Sequence, residues 1–252
     1  MSATSPSTFA TVDGGQTAQT TWSITVPAGA SPGSYELSAQ ATFQDAKGKG
    51  TGSVIDSAVS VSVPFQSLNA AFNNPGISDD SNPTAGNLDG GGSSYSAQAL
   101  AGAGLTAGAT VTHDGLTFTW PNVLPGTPGN VTAGGQTIAL SGSGTTLGFL
   151  GTGDYGTPSG SGTITYTDGT TQAYTLSFAD WWANTAAPGG DIVASVPYIN
   201  QATGRMNQTV SVYYASVPLQ QGKTVQYVTL PDVSQGANEG QTAMHIFAMA
   251  LG

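Results

Sequence analysis

The chain has no cysteine, so no disulfide can staple it and its redox compartment is not indicated. Basic side chains are almost as scarce. Lys47, Lys49, Arg205 and Lys223 are the only four in 252 residues. They are scattered, whereas a phosphate-binding surface needs clustered Lys and Arg, which excludes nucleic acid as a partner. Charged residues of either sign make up 7% of the chain, yet the net charge is −10. No apolar run is long enough to span a bilayer, so no membrane partner is expected. The opening MSATSPSTFA has neither the basic nor the apolar region of a signal peptide. Helical potential is confined to SYSAQALAGAG (94–104).

Catalytic patterns are missing too. Glu36 and Glu239 are the only glutamates, and Asp114, Asp154 and Asp168 sit in turn-like contexts. A glycosidase needs two carboxylates across one cleft, and no stretch suggests that pair. No Gly-x-Ser-x-Gly elbow occurs, and neither His113 nor His245 has a serine partner in sequence. His245 lies in an apolar strand and reads as a satisfied core histidine.

What the chain does have is Gly, Ser and Thr in quantity, with apolar and β-branched residues in period-2 alternation. That pattern indicates a folded all-β protein. Residues 8–65 carry three strand signals. Trp22, Ile24 and Val26 share one face of the first. Tyr35, Leu37, Ala39, Ala41 and Phe43 line up in the second, and Ile55, Val59, Val61 and Val63 in the third. Each reads as a half-buried antiparallel strand. A Pro-bounded joint, VPFQSLNAAFNNPG, leads into a second unit, which gives domains 1–66 and 67–252. Strand candidates occur at 109–113, 116–121, 136–141, 145–150, 161–167, 171–179, 191–198, 209–217, 224–230 and 243–251. Strands this frequent with Gly, Asn and Asp between them indicate a sandwich or jelly roll.

The hairpin TITYTDGTTQAY tests the register. Asp-Gly usually marks a two-residue turn, which would put Ile164 and Tyr166 on the face opposite Tyr174 and Leu176. A shared core needs all four on one face, so the pattern predicts a three-residue loop, Thr167-Asp168-Gly169, with Gly169 left-handed.

The segment VDGGQTAQTTWSITVPAGASPGSYELSAQATF resembles the Ig-like domain associated with carbohydrate-binding modules of bacterial alpha-galactosidases, and covers its later half. FNNPGISDDSNPTAGNLDGGGSSYSAQAL, GLTFTWPNVLPGTPGNV, TYTDGTTQAYTLSFADWW and MHIFAMALG resemble the C-terminal galactose-binding-like β-sandwich tails of secreted actinobacterial glycoside hydrolases. These resemblances imply a short Ig-like unit, either truncated or a minimal version of that domain, preceding a jelly-roll sandwich. They also imply an extracellular, non-catalytic accessory region, with the parent enzyme's catalytic domain and a carbohydrate as partners.

Two stretches are candidate sites. SDDSNPTAGNLDGGG (78–92) offers Asp79, Asp80 and Asp89 among glycines, the oxygen-rich setting that a structural calcium ion takes. Its alternative is a polar loop held by Asx-turns. The second stretch is FADWWANTAAPGGD (178–191). Sugars expose apolar C–H faces, so a flat indole beside hydrogen-bonding groups makes a sugar platform. Successive strand residues face opposite ways, so Trp181 and Trp182 cannot both enter one core. One of them is expected to be exposed, with Asp180 and Asn184 at its rim. If the strand ends by Asp180, the exposed one is Trp182. Tyr155, in GTGDYGTPSG, is a second platform. Four scattered cations cannot clamp carboxylates or sulfates, so the expected ligand is a neutral oligosaccharide or polysaccharide. A structural spacer that binds no sugar is the alternative.

Overall fold

In the computed structural model of the chain, the described residues are 2–3, 8–27, 29–44, 51–55, 59–234 and 236–252. They divide into two compact units, Met1–Val63 and Pro64–Gly252. The division falls three residues before the boundary read from sequence, because Phe65 bridges Ile138 and so belongs to the second unit.

The described residues of the first unit form three antiparallel ribbons. β1 (Ser2–Ala3) pairs with β2 (Trp22–Ser23), β3 (Gly33–Leu37) with β6 (Val59–Val63), and β4 (Gln40–Gln44) with β5 (Thr51–Ile55). The single strand expected over 33–43 is thus two. Tyr35 faces Val61 but Ala41 faces Val54, so the register slips by one residue between the ladders. The expected half-burial is met only at Leu37, Val61 and Val63, and no described side chain of this unit is fully buried. Trp22, Ile24, Val26, Tyr35, Phe43 and Val59 are all exposed. An isolated two-stranded ribbon has no second layer to cover its apolar face, which is the physical reason. The side chain of Ile55 lies outside the described residues.

The second unit contains β7 (Ile77–Ser78), β8 (Ser94–Ser96), α1 (Ala97–Gly102), β9 (Thr110–His113), β10 (Leu116–Thr119) and β11 (Val131–Thr132). Next along the chain are β12 (Thr137–Ser143), β13 (Thr146–Asp154), β14 (Ser159–Tyr166), β15 (Thr171–Ser177) and β16 (Asp191–Val196). β17 (Ile199–Gln201), β18 (Gly204–Met206), β19 (Val210–Pro218), β20 (Thr224–Thr229) and β21 (Ala243–Leu251) complete it. Each longer strand expected from sequence is present. The short β7, β8, β11, β17 and β18 carry too little pattern to be read. α1 occupies part of the stretch with helical potential, capped by Ser96, whose hydroxyl accepts the Ala99 N–H at 3.1 Å.

Two sheets dominate. One is five-stranded in the order β11-β21-β13-β19-β16, and the other four-stranded in the order β12-β20-β14-β15. Leu147, Phe149, Ile164, Tyr166, Tyr174, Leu176, Tyr213 and Met244 pack between them. The far face of the five-stranded sheet is covered as well, by the β9–β10 hairpin, β8 and α1, through Leu116, Phe118, Trp120, Tyr95 and Leu100. β13 therefore has cores on both sides, which is why TLGFLGTGD reads as apolar without alternation.

Two devices make this double burial possible. Leu150 faces Ala248 while Gly151 faces Ile246, so Phe247 is an extra residue in β21. That bulge reverses the alternation. Met244 and Ile246 enter the core between the sheets, whereas Phe247, Ala248 and Ala250 enter the second core. Glycine supplies the other device. A Cβ on Gly148 would lie 2.4 Å from Leu116 Cδ1, and one on Gly151 would lie 2.5 Å from Phe178 Cε2 and 2.6 Å from the His245 carbonyl. Close approach of neighbouring layers requires these glycines.

The hairpin loop is three residues long. Thr165 pairs with Thr171, the Tyr166 N–H donates to the Thr170 carbonyl at 2.9 Å, and Gly169 has φ +82°. Ile164, Tyr166, Tyr174 and Leu176 consequently share the core, as the face argument requires.

Gly151→Ala is expected to destabilise the second unit by about 1–3 kcal/mol in urea unfolding, because the His245 backbone cannot give way as a side chain could. The turn also carries a titration. Hydrogen bonds from the Thr170 hydroxyl and backbone N–H, helped less by Lys223, hold the Asp168 carboxyl at about 2 against an ordinary 3.8. A depressed carboxylate stabilises above its ordinary value, so the turn's contribution is complete above 3.8 and is lost as pH falls through about 2. Carboxyl NMR titration should place the Asp168 midpoint near that lower value.

Candidate functional site

β15 stops at Ser177, and the turn beyond it is held by one carboxylate. Asp180 Oδ1 accepts the Trp182 N–H at 2.9 Å, and Asp180 Oδ2 accepts the Gly156 N–H at 2.8 Å. Its carbonyl accepts the Tyr213 hydroxyl and the Ala183 N–H. The loops after β13 and β15 are thereby tied together. Asn184, left-handed at φ +54°, closes the turn by donating its Nδ2–H to the Trp182 carbonyl at 3.2 Å.

This geometry separates the two tryptophans. Trp181 donates its N–H to the Gly153 carbonyl and accepts from the Ser211 N–H, so its backbone is clamped on both sides. Its indole meets the Tyr95 ring edge-on at 5.0 Å and is buried. Trp182 is 40% exposed, its ring tilted 58° to that of Trp181. The strand ends before Asp180, the case in which Trp182 was expected to be the exposed one, and the turn points it outward.

Tyr155 lies in the neighbouring loop, left-handed at φ +45° and also 40% exposed. Gly91 makes room for it, since a Cβ there would lie 2.9 Å from the Tyr155 hydroxyl and 3.5 Å from both Asp89 Oδ1 and Glu239 Cγ. Partial burial foremost, then the charge of Asp89, with smaller pushes from Glu239 and Asp154, raises the Tyr155 hydroxyl above its ordinary range. The hydroxyl therefore remains a donor at neutral pH. Asp89, read from sequence with Asp79 and Asp80, is instead found beside Tyr155.

The three acidic candidates are not brought together. Asp79 Oδ1 accepts the Ser81 N–H and hydroxyl, and Asp79 Oδ2 accepts Gln98 Nε2–H at 2.7 Å. These bonds, the Ser81 hydroxyl first, lower its carboxyl below the ordinary value. Asp80 accepts from the Ser96 and Tyr198 hydroxyls and from Asn200 Nδ2–H. Asp89 Oδ1 accepts the Gly91 and Ser93 N–H groups. Among the described residues no three His, Asp or Glu side chains are grouped to hold a metal ion. The acids of residues 78–92 hold turns and join β7, α1 and β17.

Elsewhere, an apolar cleft of about 130 Å³ lies between α1 and the loop after β10, lined by Leu100, Leu105, Trp120, Val123 and Leu124. No carboxylate lines it, so it offers no acid–base pair. Sequence reasoning missed a buried polar chain of Asn74, Asn130, Asp154 and His245. The one signal for it was a histidine in an otherwise apolar strand.

The second unit is thus a β-sandwich that carries two exposed aromatic rings on loops tied together by Asp180. The chain belongs to the AziU2-like beta-sandwich domain family, which matches residues 62–251. Residues 2–44 are similar to the NPCBM-associated, NEW3 domain of alpha-galactosidase. No curated protein matches the chain. Among the described residues no helix is long and apolar enough to cross a membrane.

Asp80→Ala is expected to cost about 1–3 kcal/mol in chemical unfolding, because it leaves the buried Ser96 and Tyr198 hydroxyls without their acceptor. Asp79→Ala, on an exposed turn, should change the unfolding midpoint much less.

Proposed function

We propose that the second unit binds a neutral oligosaccharide or polysaccharide without acting on it, as an accessory region of a secreted bacterial glycoside hydrolase. Trp182 is the platform and Tyr155 the second contact. The observation that carries this reading is the placement of those two rings. They are the exposed aromatics among the described residues of the unit, and Asp180 ties their loops together. An exposed indole loses the strongly favourable burial that Trp181 achieves, so a ligand that restacks it explains the arrangement. Negative charge around Tyr155 disfavours acidic glycans and leaves neutral ones. The likeness to an alpha-galactosidase-associated domain supports a carbohydrate-linked, extracellular setting beside a catalytic partner domain. Repeated crossings between the two sheets, as from β11 through β12 and β13 to β14 and from β19 through β20 to β21, support a jelly-roll connectivity.

One observation favours the spacer reading. Asp180 and Asn184 already engage their polar atoms in the turn, so the platform's rim is less free to bond a sugar than the sequence suggested.

Titration calorimetry with a panel of neutral oligosaccharides tests the choice. A single platform with few hydrogen bonds should give dissociation constants from about micromolar to millimolar. Trp182→Ala is expected to weaken binding at least tenfold and to leave folding intact. Trp181→Ala is expected to destabilise the fold by about 3–5 kcal/mol. No binding by the wild type, or unchanged binding by Trp182→Ala and Tyr155→Ala, would leave the spacer reading in its place.

A further inference from the structure

Asp154 and His245 are fully buried, and each has one side-chain atom with no hydrogen-bond partner, Asp154 Oδ2 and His245 Nε2. Those two atoms face each other at 3.5 Å. Which of them carries hydrogen is set by a chain of constraints that begins on backbone. Asn74 Nδ2 lies 2.9 Å and 3.3 Å from the carbonyls of Asn87 and Leu88, which can only accept, so the Asn74 amide must present its NH₂ there. Its Oδ1 then faces Asn130, whose Nδ2 donates to it at 2.9 Å and to the Asn74 carbonyl at 3.1 Å. Asn130 Oδ1 is left facing His245 Nδ1 at 2.9 Å, so Nδ1 must be the donor. Gly76 leaves the space for this chain, since a Cβ there would lie 2.5 Å from Asn130 Nδ2.

With Nδ1 protonated, a neutral imidazole would aim the Nε2 lone pair at a carboxylate oxygen in a dry interior. That arrangement is repulsive and leaves both groups unsatisfied. A single proton placed between Nε2 and Oδ2 removes the conflict, whether written as imidazolium with carboxylate or as imidazole with carboxylic acid. Two protons would instead oppose two donors. We propose that Asp154 and His245 form a proton-holding site which carries one shared proton throughout the folded state. The site fixes the start of the Tyr155 loop, because Asp154 Oδ1 accepts the Ala243 N–H at 2.7 Å. This inference stands independently of glycan binding.

The ionisable groups near the pair are Tyr155, next in the chain, Asp180, bridged to Gly153, and Tyr95, bonded to Thr152 opposite His245. No described cation competes for the carboxylate. Lys223 pairs with Asp168 and Arg205 lies over the Tyr198 ring.

The proton count makes the proposal measurable through linkage. An unfolded chain ionises Asp near about 3.9 and His near about 6.5. Between those values it holds one proton on the two groups, as the folded pair does, and stability does not depend on them. Above about 6.5 the unfolded chain holds none, so the folding equilibrium constant should fall about tenfold per pH unit. Asp154→Asn changes the sign. Its amide oxygen still accepts the Ala243 N–H and its NH₂ donates to Nε2, so His245 is neutral when folded. Its stability should rise about tenfold per unit up to about pH 6.5 and then level off.

The ratio of wild-type to Asp154→Asn folding constants, from urea unfolding between pH 5 and 8.5, should therefore fall about tenfold per pH unit throughout. Both chains carry His113→Gln, so that one histidine remains. A ratio independent of pH overturns the proposal. Should the Asp154→Asn chain not fold, ¹⁵N NMR of His245 in the His113→Gln background decides. Protonated Nδ1 and an unchanged Nε2 signal from pH 5 to 8 support the shared proton. A titration step in that range, or a bare Nδ1, overturns it.

Discussion

The second unit depends on burying the five-stranded sheet on both faces. A sheet with one wet face can solve its packing by alternating polar and apolar residues. β13, β19 and β21 have no wet face, so every side chain on them needs a partner, and every place where another layer presses close needs glycine. The bulge at Phe247 divides the apolar residues of β21 between two cores. Double burial also explains why polar groups on these strands occur where a network can satisfy them. Thr152, Asp154 and His245 cluster at the end of the sheet where the loops begin.

That same end carries the candidate site, and the connection is mechanical. Asp154 closes β13, Gly153 bridges Asp180, and the two oxygens of Asp180 hold Gly156 and Trp182. The exposed rings therefore stand on loops whose roots are fixed in the core, which suits a rigid aromatic surface. Holding the loops uses up acidic oxygens that could otherwise bond a ligand. What remains for recognition is largely apolar ring surface with a tyrosine hydroxyl.

The two units contrast in how they use similar alternating sequences. In the first, alternation produces ribbons whose apolar residues stay exposed or half-buried, since pairing two strands satisfies backbone but covers no face. In the second, strands with comparable alternation gain a second sheet, and Tyr174 and Leu176 become core. Period-2 patterning reports which side chains share a face, and a second layer decides whether that face is buried.

The amino-acid sequence by itself determined the all-β class, the longer strands and the three-residue hairpin loop, because alternation and turn chemistry are local. It also led to the expectation that Trp181 and Trp182 part, but they part in a turn beyond the strand end at Ser177 and not by strand alternation. Which of them is exposed was settled by the Asp180 turn, where hydrogen bonds to Gly156 and Tyr213 come from distant parts of the chain. Tertiary structure likewise turned Asp79 and Asp80 into separate supports, because their donors, Gln98, Ser96, Tyr198 and Asn200, include side chains remote in sequence, whereas Asp89 is held by the nearby Gly91 and Ser93 N–H groups. His245 shows the limit most clearly. From its strand alone it reads as a satisfied core residue, while its facing atom on Asp154 and the asparagines that fix its tautomer come from three other segments. Only folding brings them within hydrogen-bonding range.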